Sequence, residues 1–234
     1  MIRLEGSASE VHFHPTEDRI VVALAPTSSS DDLRMFRKVH VVELQTGRTT
    51  SLGNRGKLGQ VAWSPDGRIV TMVAGMGGQH DPKEGGLFFM DPVHKREKFR
   101  ISEENQPVSH FESFGWTSSS EFWSQGTNRT WSIFGHHRFV DGEINHHYVR
   151  PKPGIILSGI TVSNNGKSLA FIAHHPRHPL EVYCATTQKL QPRRLTDSNL
   201  WLKNMQFANQ EVTTYSPSQK ICNIGIDRNA VGVV

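Results

Sequence analysis

Seven of the thirteen histidines in this 234-residue sequence fall in three tight groups: His136-His137, His146-His147, and His174-His175 with His178. Imidazole suits zinc, nickel and copper, so the loop HHPRH at 174–178 has ligand types able to hold a metal. Adjacent residues on a strand point to opposite faces, however, and a His-His pair supplies two ligands only where the chain bends. No acid or cysteine stands at helix-like i+4 spacing from the histidines of this loop, so exposed loop histidines are expected and no metal site is assigned. Cys184 and Cys222, the only cysteines, are too far apart in sequence for a disulfide framework or a clustered zinc site.

Other motifs carry less. GMGG at 75–78 lacks the third glycine of a dinucleotide loop and the Lys-Ser/Thr of the other phosphate motif, and reads as a connector. Asn128-Arg129-Thr130 fits the glycosylation acceptor pattern. A glycosidase needs two facing carboxylates, and the runs VALA, VTMVA, FWSQG and AFIA, taken as inner strands, carry none. No G-x-S-x-G occurs, so the strained turn that exposes a nucleophilic serine is missing. No catalytic, cofactor-binding or metal-ligating residue is assigned, and no cofactor is expected.

The balance of 26 Lys+Arg against 22 Asp+Glu is mildly basic and shows no dense block, which argues against a nucleic-acid partner. The start, MIRLEGSASEVHF, lacks the pattern of a secretory signal, and IVVALA at 20–25 is too short to span a bilayer. A cytoplasmic protein without a membrane partner is expected.

The elements that would position these residues repeat. VAWSPDGRIVTMVAG at 61–75 places Ser64-Pro65-Asp66-Gly67 between two apolar runs, which is a hairpin with its turn chemistry written out. Weaker copies are VHFHPTEDRIVVALA (11–25), FGWTSSSEFWS (114–124), ITVSNNGKSLAFIA (160–173) and MQFANQEVTTY (205–215). Taking Phe13, Trp63, Trp116, Val162 and Phe207 as equivalent, the spacings are 50, 53, 46 and 45 residues. Second strand pairs follow at 39–52, 86–101 and 180–196, giving four strands per repeat. A period of this length marks the blades of a β-propeller, and no stretch shows sustained helical periodicity. The fold predicted is all-β, a propeller of about 4.5 to 5 four-stranded blades. Its blades lie near 9–53, 59–104, 112–150 and 157–197, with a partial one at 200–216 and a tail at 217–234. Trp63, Trp116 and Trp123 are expected between blades, and Arg193-Arg194 on a solvated outer strand.

WSPDGR and its copies resemble the blade signature of TolB-like propellers. The stretch 159–221 resembles the last part of the propeller in prolyl oligopeptidase family serine peptidases, in the acylaminoacyl peptidase and dipeptidyl aminopeptidase branches. The matching residues are Leu169-Ala170-Phe171, Pro179, Glu181-Val182-Tyr183, Pro192-Arg193-Arg194-Leu195-Thr196, Asn199-Leu200-Trp201-Leu202, and Glu211 with Tyr215-Ser216-Pro217. In that family the last of these leads into an α/β-hydrolase domain with a Ser-Asp-His triad. Here Ser218-Gln219 stands where Asp-Gly would follow, and the tail ICNIGIDRNAVGVV has the look of a frameshift or stop. The aminopeptidase branch grips a substrate's amino terminus with a Glu-Glu pair among aromatic residues. Glu103-Glu104 is such a pair, but its setting ISEENQPVS has no nearby Trp or Tyr, and solvated acids are expected.

The resemblance implies a substrate-gating propeller that lacks the catalytic domain and is no enzyme by itself. The alternative is a stand-alone TolB-like scaffold; either would take a peptide or protein at the tunnel or rim. Four and a half blades leave an open edge unless MIRLEGSA and ICNIGI complete a fifth, and an open edge is expected to self-associate through strand pairing.

Overall fold

The computed structural model describes residues 2–76, 85–102, 106–152, 154–208, 210–215 and 223–228. The strands are β1 (Ser7–Phe13), β2 (Arg19–Ala25), β3 (Lys38–Glu43), β4 (Thr49–Ser51), β5 (Leu58–Trp63), β6 (Val70–Gly75), β7 (Gly85–Asp91), β8 (Arg96–Ile101), β9 (His110–Trp116) and β10 (Glu121–Asn128). They continue as β11 (Trp131–Val140), β12 (Glu143–Val149), β13 (Ile156–Val162), β14 (Ser168–His175), β15 (His178–Thr186), β16 (Arg193–Arg194), β17 (Gln210–Tyr215) and β18 (Asn223–Arg228). They form four four-stranded sheets, β1–β4, β5–β8, β9–β12 and β13–β16, each a meander in chain order, and one two-stranded sheet, β17–β18.

Among the described residues a fifth four-stranded sheet is not formed. The segment MIRLEGSA enters a strand only at Ser7, while Ile2 and Leu4 pack on Val22, Leu24 and Val42. Within ICNIGI, β18 begins at Asn223 and pairs antiparallel with β17. One short helix interrupts the first sheet, α1 (Ser30–Met35), with Ser29 Oγ accepting the N–H of Asp32 at 3.2 Å. Periodicity misses so short a helix, but Ser29 three residues before Asp32 is its cap signal.

The repeated turns share one hydrogen-bond pattern. Ser64 N donates to Ile69 O (2.8 Å), and Gly67 N to Ser64 O (2.9 Å). Ser64 Oγ donates to Asp66 Oδ1 (2.6 Å) and accepts the N–H of Ile69 (3.0 Å). In the copy at 163–168, Ser163 Oγ donates to Asn165 Oδ1 (2.7 Å) and accepts the N–H of Ser168 (3.0 Å). Gly67 and Gly166 hold φ of +72° and +68°, the left-handed region that favours glycine. In the first turn His14 replaces the serine: its Nδ1 accepts the N–H of Thr16 (3.2 Å) and Glu17 (2.9 Å).

The chain divides into two compact units, residues 1–126 with 135–147, and residues 127–134 with 148–234. In the first unit, Val21, Ala23, Val39 and Val41 of the first sheet share a buried core with Val61, Trp63, Val70 and Met72 of the second. Each such fully buried side chain contributes roughly 1.5–3 kcal/mol. Polar contacts fix the stacking. Because His14 Nδ1 is occupied as an acceptor, its Nε2 donates, to Gly67 O at 3.1 Å. The His14 ring meets Trp63 edge-on at 4.7 Å, and Trp63 Nε1 donates to His12 O (3.3 Å). Glu10 Oε1 accepts the N–H of Val61 (3.1 Å). Gln60 repeats this contact toward the third sheet, accepting from Phe114 N and donating to Phe114 O, both at 3.0 Å. Trp116 joins Phe89, Phe99, Phe122 and Phe139 in an aromatic cluster with centroid spacings from 4.3 Å to 6.1 Å. Trp123 is buried over Gly115.

In the second unit the core is Ile133, Phe134, Leu157, Leu169, Phe171, Ala173 and Tyr183. Phe171 stacks on Tyr183 at 5.6 Å, and Ser132 Oγ accepts the N–H of Leu157 (3.0 Å).

Two glycines separate backbone strain from packing. A Cβ on Gly67 would lie 2.0 Å from His14 Nε2, whereas one on Gly166 meets nothing within 4 Å. Gly166→Ala is expected to cost about 1–2 kcal/mol for its positive φ. Gly67→Ala is expected to cost that plus roughly 1–3 kcal/mol for the displaced imidazole. Urea unfolding of the two variants measures the difference.

Candidate functional site

The histidine groups become intelligible once the third sheet is built. β11 and β12 are joined through Asp141-Gly142, with φ of +52° and +87°, the two positive values of a type I′ hairpin turn. His137 and His146 lie equally far from that turn, and the hairpin brings them together: their Nδ1 atoms are 2.9 Å apart. One of the two Nδ1 atoms must carry the proton and the other accept it. On the other side, His137 Nε2 is 2.7 Å from Ser124 Oγ of β10. Burial, followed by the neighbouring His146 and His136, pushes His137 well below its ordinary pKa; burial lowers His146 as well.

Ser124–His137–His146 has the order of a nucleophile, a base and an orienting group. Its surroundings do not suit that role. Ser124 and His137 are both buried, and Phe122 stacks on His137 at 4.6 Å. A methyl group on Gly135 would already lie 2.5 Å from His137 Nε2 and 2.8 Å from Ser124 Oγ, which leaves no room for a substrate carbonyl. The third group is an imidazole, which lacks the charge that lets a carboxylate stabilise an imidazolium. The cluster is a polar tie across three strands of one sheet.

His175 and His178 close the β14–β15 hairpin opposite each other, rings stacked at 5.6 Å. His178 Nε2 bonds Tyr183 OH (2.9 Å), and its Nδ1 lies 2.8 Å from Pro179 O. His175 Nδ1 accepts the N–H of Arg177 (3.2 Å). Among the described residues no three side chains of metal-ligand type converge.

The first strands of two sheets carry acids that the reading of the inner runs passed over. Glu10 on β1 is 3.7 Å from Arg37, and Glu112 on β9 accepts from Gln125 Nε2 (2.6 Å). Both are tied into the fold. Gly75 ends β6, Asn128 ends β10, and Cys184 is a half-buried thiol on β15. Residues 77–78 of GMGG, Glu103-Glu104, Ser216-Pro217-Ser218-Gln219 and Cys222 lie outside the described residues.

A second cluster sits beside the last four-stranded sheet. Glu181 of β15 is buried, and its carboxylate accepts from Thr196 Oγ1, from Ser198 N (2.7 Å) and Oγ (3.2 Å), and from Arg194 Nη2 (3.1 Å). The Thr196 hydroxyl leads these donors in holding the Glu181 pKa down to about 2. Arg194 also bonds Asp197 Oδ1 (2.6 Å), whose Oδ2 meets Lys203 Nζ (2.6 Å). Arg193 faces solvent as expected for an outer strand, but Arg194 is committed to this network. Around it lies a cavity of about 510 Å³. Arg177, Arg194 and Lys203 on its wall outnumber Asp197, and Leu202, Met205 and Phe207 give it an apolar side.

No protein-family model matches the sequence, and no curated protein matches it. Solved structures do. TolB from Acinetobacter baumannii aligns with a TM-score of 0.55 and 15% identity, over 95% of this chain and 52% of that one. The β-propeller domain of the Trilobed protease from Pyrococcus furiosus, described as having an open velcro topology, aligns at 0.52 and 10%, over 95% and 67%. The chain is a β-propeller. A puromycin hydrolase aligns at 0.62 and 13%, over 92% of this propeller and 32% of that chain. The propeller thus spans about half of TolB and about a third of the hydrolase. It has about four blades, and the propellers it is similar to include TolB and a prolyl endopeptidase. Among the described residues, no helix is long and apolar enough to cross a membrane.

The His137–His146 pair makes stability depend on pH with a defined sign. Both folded pKa values lie below the unfolded value of about 6.5, so the unfolded chain takes up protons first as pH falls. This stability is present above about pH 6.5 and is lost as pH falls toward the depressed folded values. The urea midpoint is expected to drop between about pH 7.5 and about pH 5.5, and His137→Gln to flatten that dependence. Glu181 works lower, its contribution being lost only as pH falls from the ordinary carboxylate range through about 2. Glu181→Ala is expected to lower the midpoint at neutral pH and to speed amide exchange in residues 193–204, read by mass spectrometry.

Proposed function

We propose that this chain is the substrate-gating propeller portion of a prolyl oligopeptidase-like serine peptidase and cuts no peptide bond by itself. The observation that carries this reading is the stretch 180–202. Its residues resemble the closing propeller segment of that family, and Glu181, Arg194 and Thr196 among them are joined in one hydrogen-bonded staple. Fold similarity to the puromycin hydrolase over 92% of the chain supports the same reading. The resemblance implies a lid over an active site, which selects by size: an extended peptide passes and a folded protein does not. The missing G-x-S-x-G and the sealed Ser124–His137 pair support the view that cutting belongs to another domain.

A second reading, a stand-alone scaffold that binds a peptide or protein, is favoured by the cavity beside Arg194 and Lys203. Sequencing the locus across codon 220 and through roughly 250 further codons, a domain's worth, separates the two. G-x-S-x-G followed by Asp and His, in any frame, is the result expected of a peptidase lid. A downstream region without them favours the scaffold. The purified chain is expected to leave short peptide amides uncut; hydrolysis abolished by Ser124→Ala would overturn the proposal.

A further inference from the structure

The cavity beside the last four-stranded sheet lies wholly within the second compact unit. Its volume of about 510 Å³ falls in the range of about 300–1,000 Å³ usual for ligand sites. The charged and ring acceptors around it are occupied. Asp197 uses both oxygens, Oδ1 on Arg194 Nη2 and Oδ2 on Lys203 Nζ, each at 2.6 Å. The buried Glu181 takes donors from Arg194, Thr196 and Ser198. His178 Nδ1 donates to Pro179 O (2.8 Å), so in the neutral ring its Nε2 accepts from Tyr183 OH (2.9 Å).

The donors are not all occupied. Arg194 Nε donates to Thr196 O (2.7 Å) and Nη2 to Glu181 and Asp197, which leaves the two N–H groups of Nη1 without a partner among the described residues. Lys203 Nζ makes one of the three contacts open to it, and its side chain is 65% exposed. Arg177 is a third cation on the lining, against the two carboxylates of Glu181 and Asp197. A ligand that brings acceptors and negative charge completes such a set, whereas one that brings only donors meets acceptors already in use. Asp197 shows the mode: its two oxygens bridge Arg194 and Lys203, and a second carboxylate can bridge the same two cations from the cavity side. The Glu181 contacts fix Arg194 before a ligand arrives, so little ordering remains to oppose binding. Leu202, Met205 and Phe207 on the same lining offer apolar contact.

We propose that this cavity binds the carboxyl-terminal end of a peptide whose last side chain is apolar. The terminal carboxylate accepts from Arg194 Nη1 and Lys203 Nζ, and the last side chain lies on Leu202, Met205 and Phe207. The inference rests on the reading of this chain as a propeller that meets peptides. The gating role is tested separately, by the sequence past codon 220, so a failure to bind would strike the ligand and leave that role standing.

The test is titration of the 234-residue chain with N-acetyl-glycyl-leucine and with its carboxamide, by calorimetry and by the amide resonances of residues 194–206. The free acid is expected to bind and to shift those resonances. The carboxamide, which lacks the charge, is expected to bind about tenfold more weakly or worse. N-acetyl-glycyl-glycine, an acid without the apolar side chain, is expected to lose about tenfold as well. Lys203→Met, at an exposed position, is expected to weaken the acid about tenfold and to leave the carboxamide unchanged. Equal binding of acid and carboxamide, acid binding that Lys203→Met leaves unchanged, shifts confined to other residues, or no binding at millimolar acid would each overturn the inference. If Lys203→Met does not melt cooperatively, Met205→Glu takes its place. That variant sets a carboxylate of the protein's own at the cavity and is expected to abolish acid binding; undiminished binding would overturn the inference equally.

Discussion

A meander sheet leaves the backbone of its first strand without a partner on one side, and every buried N–H or C=O there must find one. In the first unit that demand is met by side chains from the preceding sheet. Glu10 accepts from Val61, and Gln60 both accepts from and donates to Phe114. The side chain that makes the tie lies three residues before the aromatic of its own turn, and the backbone it bonds lies two before the aromatic of the next. The sheets are thereby held in one register, and the apolar core forms between faces already aligned. A glutamate can satisfy only the N–H, whereas the glutamine amide satisfies both groups. At the same step in the last four-stranded sheet stands Gly159, with no side chain to offer.

Much of this was legible in the sequence because it rests on local chemistry. Ser-Pro-Asp-Gly and Ser-Asn-Asn-Gly specify their turns through side chains two to five residues apart, and the aromatic spacing gives the repeat. What escaped depends on partners distant in sequence. Nothing near His14 announces that its ring bonds Gly67 and packs on Trp63, 53 and 49 residues away. The meeting of His137 with His146 was within reach, since Asp141-Gly142 is a type I′ turn signal and the two histidines are symmetric about it. Taken alone, each His-His pair is two residues on opposite faces of one strand. That geometry is right for the single strand, but it leaves out the strand alongside.

The family-like residues illustrate a different limit. Glu181, Arg194 and Thr196 were recognisable as a pattern, but a pattern does not say whether its residues act on a ligand or on one another. Here they act on one another: the carboxylate of Glu181 uses its lone pairs on donors from the segment 194–198 and pins that segment to β15. Arg194, one of the two arginines expected on a solvated strand, joins Thr196 and Ser198 in keeping the buried carboxylate ionised.

The same accounting bears on what this propeller can do. Among the described residues, Ser124, His137, Glu10, Glu112 and Glu181 carry groups of catalytic type, and each of these five is tied to a partner inside a sheet or between sheets. A general base must be able to release its partner and accept a proton from a substrate, which a sealed imidazole cannot do without unfolding its surroundings. Groups spent in this way stiffen the sheets, and the cavity beside Arg194 and Lys203 lies outside them.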